Sequence, residues 1–165
     1  MTPTTAIVLA AGVGSRLRPL TEHTPKCLVS VGRETILGRL VGQLARAGVG
    51  ELIVATGHLD GLVREALRDA PMPARFAHCH DHATTQNVVS LQRAMALVGV
   101  GASVVKFDGD VVLDDAVLTR LFADDADGAA AVDDGAPPPD EAMKVYAEGA
   151  RIRRFGKGID PARAA

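Results

Sequence analysis

An apolar stretch near the N-terminus of this chain leads directly into two closely spaced glycines. Residues 5–10 read TAIVLA, and Ala11, Gly12 and Gly14 follow at once. A continuous apolar run of this length that ends at glycine predicts a buried strand breaking into a tight loop. Small residues let the backbone approach a ligand closely, and unpaired backbone N–H groups in such a loop bind anions. The stretch therefore predicts a first strand followed by an anion-binding loop.

Three cationic side chains follow the glycine loop within a short stretch of sequence. Arg16 and Arg18 carry planar guanidinium groups, and Lys26 carries a compact ammonium. Both groups bind phosphate well. Two familiar glycine motifs do not fit, because a Walker A loop closes on Gly-Lys-Ser/Thr and a dinucleotide fingerprint has a third glycine where this chain has Leu17. The pattern indicates a polyphosphate site of another kind.

Composition narrows the classes of partner. The 165 residues carry a net charge of -2 at pH 7, and aromatic residues make up only 3%. A nucleic-acid-binding surface usually needs clustered cations and stacking rings, so no nucleic acid partner is expected. The apolar run is interrupted at Gly12, so neither a signal peptide nor a membrane span is expected. Cys27 and Cys79 lie far apart without a C-x-x-C pattern, which favours reduced thiols and a cytoplasmic location.

Beyond the loop, apolar runs of strand length alternate with segments of helical periodicity. This alternation predicts an α/β fold of three layers, α/β/α, with a Rossmann-like, mostly parallel sheet and a small C-terminal β-hairpin. We take residues 1–165 as a single domain, in which Glu34 and Thr35 are expected to help start the first helix. The expected strands are residues 5–10, 51–56, 74–80, 102–107 and 129–132, and the hairpin pairs 143–147 with 151–155. Apolar positions at helical spacing mark helices at residues 36–44, 62–67, 85–98 and 118–122.

Two loops are expected to meet at one edge of that sheet. Ligands of open parallel sheets bind in the crevice outside the carboxyl ends of the strands. This rule brings the glycine loop beside Asp108, Gly109 and Asp110, which follow the strand at 102–107. Carboxylate oxygens are hard ligands suited to Mg²⁺, although Asp-Gly is equally typical of a turn. The loop 133–140 is expected to be a mobile surface segment.

The string LAAGVGSRLRPLTEHTPK resembles the signature of nucleotidyltransferases that activate phosphorylated small molecules with an NTP. The later stretch TTQNVVSL resembles the phosphocholine- and phosphonate-type cytidylyltransferases more than the sugar-nucleotide members. The resemblance implies transfer of CMP from CTP to a small phosphate or phosphonate acceptor, with Mg²⁺ and release of pyrophosphate. Two alternatives remain open. One is a sugar-1-phosphate nucleotidylyltransferase that uses UTP, dTTP or GTP, and the other is a nucleotide-binding domain without catalysis.

The resemblance also implies roles for individual residues. Lys26 matches the position that contacts the α-phosphate or the acceptor, Arg16 the position that grips the β- and γ-phosphates, and Asp110 the metal ligand. These three form the expected catalytic set. Lys144 and Lys157 are the expected acceptor-binding residues, with a solvated edge-strand lysine as the alternative for each. The expected nucleotide-binding residues are Leu9, Ala10, Ala11, Gly12, Gly14, Gln86, Asn87 and Asp108.

Gln86 and Asn87 lie at the start of a predicted helix. The alternative to nucleotide binding by these residues is an ordinary helix N-terminus capped by Thr84 or Thr85. The cluster at residues 78–82, HCHDH, contains several possible ligands for a transition metal. Strand alternation sends its first two histidines to one face and the cysteine to the other, which disfavours a metal site.

Members of the family are generally longer, so we expect the nucleotide half to be present and the acceptor half to be incomplete. A homo-oligomer is left open.

Overall fold

The computed structural model describes residues 2–82, 84, 86–133, 135 and 142–160. The chain divides into two compact units, Met1–Asp125 and Ala126–Ala165. The expectation of a single domain stays a prediction. The elements, in chain order, are β1 (Thr5–Ala10), β2 (Ser30–Val31), β3 (Glu34–Thr35), α1 (Ile36–Arg46), β4 (Glu51–Thr56), α2 (Asp60–Ala66), β5 (Ala74–His78), α3 (Asn87–Met95), β6 (Val104–Asp108), α4 (Asp115–Ala123), β7 (Lys144–Glu148) and β8 (Arg151–Gly156).

The first unit is built on a four-stranded sheet in the order β5-β4-β1-β6. All three pairings are parallel, and β1 lies between β4 and β6. Every residue of β1 is buried, which is why this strand has a continuous apolar sequence in place of an alternating one. The prediction of a Rossmann-like, parallel sheet is confirmed.

Alternate residues of β1 belong to two separate apolar cores. Ala6 and Val8 pack on one face of the sheet together with residues of α1, α2 and α4. Ile7 and Leu9 pack on the opposite face, where Ala94 of α3 covers them. Helices therefore lie on both faces of the sheet, and the prediction of three α/β/α layers is confirmed.

Helix α1 starts where the sequence indicates. Thr35 is its N-cap residue, and the Thr35 hydroxyl accepts a hydrogen bond from the backbone N–H of Gly38 at 3.0 Å. The helix presents an apolar face on which Leu37, Leu40 and Leu44 are buried. This face contributes more side chains to the first core than any other element does, so α1 is the main helix that packs on that face of the sheet.

The second unit contains the antiparallel hairpin of β7 and β8, as predicted. Its register shifts between Tyr146 and Ala147, which marks a β-bulge. The strand predicted at 129–132 is wrong, because these residues are exposed and adopt no regular structure. Three of the four are alanines, which have little preference for strands.

Some element boundaries also differ from expectation. Strand β5 ends at His78 and not at residue 80, and α3 spans 87–95 within the predicted 85–98. The short pair β2–β3 was not predicted, and Gly32 forms its turn with a φ of 69°. Most of the predicted mobile loop at 133–140 lies outside the described residues. Within the part of the chain that the structure describes, no helix is long and apolar enough to cross a membrane.

The burial of α1 gives a stability test. Leu40 is 1% exposed within the first core, whereas Leu20 is 65% exposed. We expect Leu40→Ala to lower the free energy of unfolding by about 2–5 kcal/mol, because it removes buried methyl groups and leaves a cavity. The control Leu20→Ala should change it by less than about 0.5 kcal/mol. Urea unfolding measures both, and equal effects would contradict the assignment of α1 to the core.

Candidate nucleotide-binding site

A cavity of about 260 Å³ lies at the carboxyl ends of β1 and β6. The chain runs from β1 to β4 and β5 on one side, and then returns to place β6 on the other side of β1. The cavity therefore lies where the strand order reverses, which is the usual ligand position in such sheets. The residues that line it are Leu9, Ala10, Ala11, Gly12, Gly14, Ser15, Arg16, Leu17, Lys26, Cys27, Asn87, Ser90, Asp108, Gly109 and Asp110.

The glycine loop has a fixed shape. Gly14 has a φ of 68°, in the left-handed region that side-chain-bearing residues rarely adopt. The hydroxyl of Thr21, which is 1% exposed, donates a hydrogen bond to the carbonyl of Gly14 at 2.8 Å. The backbone N–H of Leu17 donates to the same carbonyl at 3.0 Å. This double anchoring turns the chain into the short 3-10 turn Ser15–Leu17, which carries Arg16 on the cavity wall.

Gly109 brings the end of β6 against the end of β1. Its backbone N–H donates to the carbonyl of Leu9 at 2.8 Å. A Cβ at position 109 would lie 2.8 Å from that same carbonyl oxygen and 3.2 Å from the Cβ of Ala10. Only glycine permits this approach, and it places Asp108 and Asp110 on the same cavity as the glycine loop.

Lys26 and Asp110 form an ion pair on the cavity wall. Lys26 begins a 3-10 turn, Lys26–Leu28, which is closed by the N–H of Leu28 donating to Pro25 at 2.8 Å. The side chains of the pair are 35% and 36% exposed, so the pair itself adds little to stability. Its effect is to hold one cation and one carboxylate, 84 residues apart in sequence, at a single point.

A second carboxylate stands next to the first. Asp108 accepts an ion-pair contact from Lys106 Nζ at 2.7 Å, and it also lines the cavity. Among the residues that the structure describes, no three His, Cys, Asp or Glu side chains converge as a metal cluster. Asp108 and Asp110 are the residues on this cavity whose carboxylate oxygens could hold a divalent cation.

Cys27 follows Lys26 and lies on the same cavity wall, where it is 3% exposed. Burial is the main reason that the pKa of the Cys27 thiol rises to about 11. The thiol is therefore neutral at physiological pH and adds no negative charge beside an anion site. Cys27 was not among the predicted site residues, although its adjacency to Lys26 in the sequence was an available signal.

Helix α3 contributes the wall opposite the glycine loop. Asn87 and Ser90, one helical turn apart, both line the cavity. Gln86 is the N-cap residue without a capping side-chain hydrogen bond and is not part of the lining. Capping by Thr84 is wrong, because its hydroxyl donates to the carbonyl of Asp81 at 3.1 Å. Position 85, the other suggested cap, lies outside the described residues.

The structure describes the two predicted acceptor lysines within the second unit. Lys144 is 3% exposed, and its Nζ donates to the carbonyl of Lys157 at 3.0 Å. Burial argues against the alternative of a solvated edge-strand lysine at position 144. Residue 157 is exposed. Acceptor binding by either lysine stays a prediction.

The histidine-rich segment lies near the ends of β4 and β5. The rings of His78 and His80 meet edge to face, with centroids 4.4 Å apart, whereas Cys79 is fully buried on the other face. His78 Nδ1 lies 3.4 Å from an oxygen of Asp60. That a transition-metal site is disfavoured here stays a prediction.

Comparison with known proteins gives a consistent result. The family model described as a MobA-like NTP transferase domain matches residues 6–152. Among curated relatives, CMP-5'-(3-aminopropyl)phosphonate synthase of Streptomyces rubellomurinus is 39% identical over 123 residues, covering 73% of this chain and 19% of that protein. Uridylyltransferases for glucose-1-phosphate and N-acetylmuramate 1-phosphate, from Haloferax volcanii and Neisseria meningitidis, also match.

Solved structures agree. That of CTP:phosphocholine cytidylyltransferase from Streptococcus pneumoniae superposes with a TM-score of 0.54 at 30% identity, over 66% of this chain and 45% of that one. That of the inositol-1-phosphate CTP transferase from T. maritima gives a TM-score of 0.74 over 97% of this chain and 66% of that one; at 24% identity, this likeness shows the fold. The chain thus spans less than half the length of the phosphonate synthase and of the S. pneumoniae chain.

The two loop glycines make a matched pair for a stability test. A Cβ at Gly14 would be 3.2 Å from the Cγ2 of Thr21 on a backbone with positive φ, whereas a Cβ at Gly12 would meet nothing within 4 Å. We expect Gly14→Ala to lower the free energy of unfolding by about 1–3 kcal/mol. Gly12→Ala should change it by less than about 0.5 kcal/mol. Thermal or urea unfolding measures both changes. Equal losses of unfolding free energy in the two variants would contradict the loop geometry.

Proposed function

Since the chain belongs to the MobA-like NTP transferase domain family, we propose that it transfers CMP from CTP to a small phosphate or phosphonate acceptor and releases pyrophosphate. The observation that carries the proposal is the Lys26–Asp110 ion pair beside the glycine loop in a cavity at the strand-order switch. The cavity thus combines a cation that can bind phosphate, a carboxylate that can bind a metal ion, and an anion-binding loop.

The reaction requires two anions to approach each other. An oxygen of the acceptor phosphate or phosphonate forms a bond to the α-phosphorus of CTP, and the bond from that phosphorus to the oxygen bridging to the β-phosphorus breaks. Pyrophosphate leaves with the electron pair of the broken bond. Catalysis of such a step depends mainly on charge neutralisation and on in-line positioning.

The chain's own residues have distinct parts in this scheme. Lys26 neutralises charge at the α-phosphate or the incoming acceptor, and Arg16 binds the β- and γ-phosphates that leave as pyrophosphate. Gly12 and Gly14 offer backbone close to the phosphates, because neither carries a side chain on the cavity wall. Leu9 and the alanines after it border the nucleoside.

The donors present suit Mg²⁺. Asp110 would hold the ion, with Asp108 as a direct ligand or a partner through water, and both offer hard carboxylate oxygens. The ion would supply neutralisation of charge on the phosphate oxygens as the pyrophosphate leaves. Lys26 would exchange its contact with Asp110 for a phosphate, a change that costs little because the pair is partly exposed.

The preference for CTP and a compact acceptor rests on α3 and on the relatives. Asn87 and Ser90 present polar groups to the cavity, and paired donors and acceptors of this kind can recognise a pyrimidine. Two relatives are named as cytidylyltransferases, for choline phosphate and for 2-aminoethylphosphonate, and a third is named as a CMP-5'-(3-aminopropyl)phosphonate synthase. Relatives named as uridylyltransferases favour the second candidate, a sugar-1-phosphate nucleotidylyltransferase. A domain that binds nucleotide without catalysis is the third.

Nucleotide choice is tested first by thermal shift with each NTP, with and without Mg²⁺. We expect CTP with Mg²⁺ to raise the melting temperature most. A ligand that binds only the folded state and is present at 100 times its Kd raises the free energy of unfolding by about 2.7 kcal/mol. A larger shift with UTP, dTTP or GTP would favour sugar phosphates. No shift with any NTP would contradict the assignment of the cavity.

Catalysis is tested by pyrophosphate release from CTP with phosphocholine, 2-aminoethylphosphonate or 3-aminopropylphosphonate as acceptor. We expect Lys26→Met to lower the rate at least about 100-fold, because it removes charge stabilisation in the transition state. The matched control is Arg18→Met, which removes a nearby exposed cation outside the cavity lining and should stay within about twofold. CTP binding without turnover on any acceptor would favour the non-catalytic alternative.

A further inference from the structure

Gln43 is a buried polar residue that the proposed site does not use. It lies on α1 and is 4% exposed. Its Nε2 donates one hydrogen bond to the carbonyl of Leu113 at 3.0 Å and another to Oδ1 of Asp115 at 2.6 Å. Leu113 lies on the segment that links β6 to α4, and Asp115 is the first residue of α4. Gln43 therefore joins α1 to the linking segment and to the start of α4.

The segment begins directly after the proposed metal ligand. Leu113 is three residues beyond Asp110, a span of at most about 10 Å of chain. The side chains of Val111 and Leu113 pack against the core, and the N–H of Val111 donates back to the carbonyl of Asp108. The backbone that carries Asp110 is therefore held by Gly109 on one side and by the Gln43 contact on the other.

Helix α1 also supports the partner of Asp110. The backbone N–H of Ile36, the first residue of α1, donates to the carbonyl of Val29 at 3.1 Å, directly after the turn that carries Lys26. Cys27 and Leu28 of that turn pack into the same core as α1. One helix thus underlies both members of the Lys26–Asp110 pair.

The chemistry of the contact fixes the orientation of the amide. An amide NH₂ group has two hydrogens to donate, and here each has an acceptor, a main-chain carbonyl and a carboxylate. Hydrogen bonds from Gln43 first, and then from Arg46, lower the pKa of Asp115, so this carboxylate stays an acceptor at neutral pH. The contact of Arg46 Nη2 at 3.3 Å is on the surface, where the side chain is 65% exposed.

We propose that Gln43 is a positioning residue, which holds the 111–115 segment against α1 and thereby sets the place of the Asp110 carboxylate relative to Lys26 for binding of the metal–nucleotide complex. The proposal rests on the proposed function, because it takes Asp110 as the metal ligand. If Gln43 has only a structural role, replacing it changes stability alone. If it positions Asp110, replacing it also lowers the part of the nucleotide affinity that depends on the metal.

The test measures the affinity for CTP twice, once with Mn²⁺ and once with EDTA, by isothermal titration calorimetry on folded protein. The ratio of the two dissociation constants is the metal-dependent gain. We expect Gln43→Met, which keeps the length of the side chain and removes both donations, to reduce this gain about three- to tenfold. Its affinity for CTP in EDTA should stay within about twofold of the parent protein.

Arg46→Met is the matched control, because it removes only the exposed contact to the same carboxylate. It should leave both affinities within about twofold. If Gln43→Met does not fold, Gln43→Lys replaces it, since it retains an N–H donor of similar reach. That variant should keep the gain within about threefold, and a full loss of the gain in this folded variant would contradict the proposal.

The reference variant Asp110→Asn separates failure of this inference from failure of the proposed function. If Asp110→Asn abolishes the gain while folded Gln43→Met retains it, Gln43 does not position the site and only this inference is overturned. If the parent protein has no gain, or Asp110→Asn retains it, the metal assignment fails and the inference fails with it. An equal loss of affinity with and without metal in Gln43→Met would also overturn it.

Discussion

The proposed site depends on the contact between the ends of β1 and β6. The N–H of Gly109 reaches the carbonyl of Leu9 at 2.8 Å, and no side chain at position 109 would permit this approach. Because the two strands are parallel neighbours, the contact brings the loop after each strand to one edge of the sheet. The glycine loop and Asp110 share a cavity for this reason.

Charge placement follows from that geometry. The turn that carries Lys26 rests on α1, and the segment after Asp110 is joined to α1 by Gln43. The ion pair between Lys26 and Asp110 is partly exposed and adds little stability. A pair of this kind is suited to exchange, since the ammonium can turn to a phosphate and the carboxylate to a metal ion at small cost. The neighbours Cys27 and Phe107 are buried in the first core, whereas the side chains of the pair are accessible.

Much of this arrangement was predictable because its signals are local. A fully buried central strand needs a continuous apolar sequence, so residues 5–10 identified β1, and the glycines after it identified the loop. Thr35 marked the start of α1 by its capping chemistry. The strand predicted at 129–132 failed because alanines carry no strong preference of their own. The pair β2–β3 was missed because each strand has only two residues and depends on the turn at Gly32.

Other features depend on contacts between distant parts of the chain, which sequence alone does not reveal. Gln43 lies on the buried side of α1, and its acceptors are 70 and 72 residues away. Cys27 was expected only to be a reduced thiol, and its place on the cavity wall follows from the fold. Lys26 and Asp110 are 84 positions apart, and although the resemblance and the expected edge of the sheet put both at one site, their ion pair was not predicted.

The proposed function requires that the cavity between the glycine loop and Asp110 bind the triphosphate together with its metal ion. A crystal structure with CTP and Mn²⁺ is the decisive experiment, because the anomalous signal of manganese locates the ion independently of the nucleotide. We expect manganese on the Asp110 carboxylate, phosphates along residues 12–16, and the ammonium of Lys26 turned from Asp110 to a phosphate. Manganese and triphosphate bound away from Asp110 and the glycine loop would contradict it.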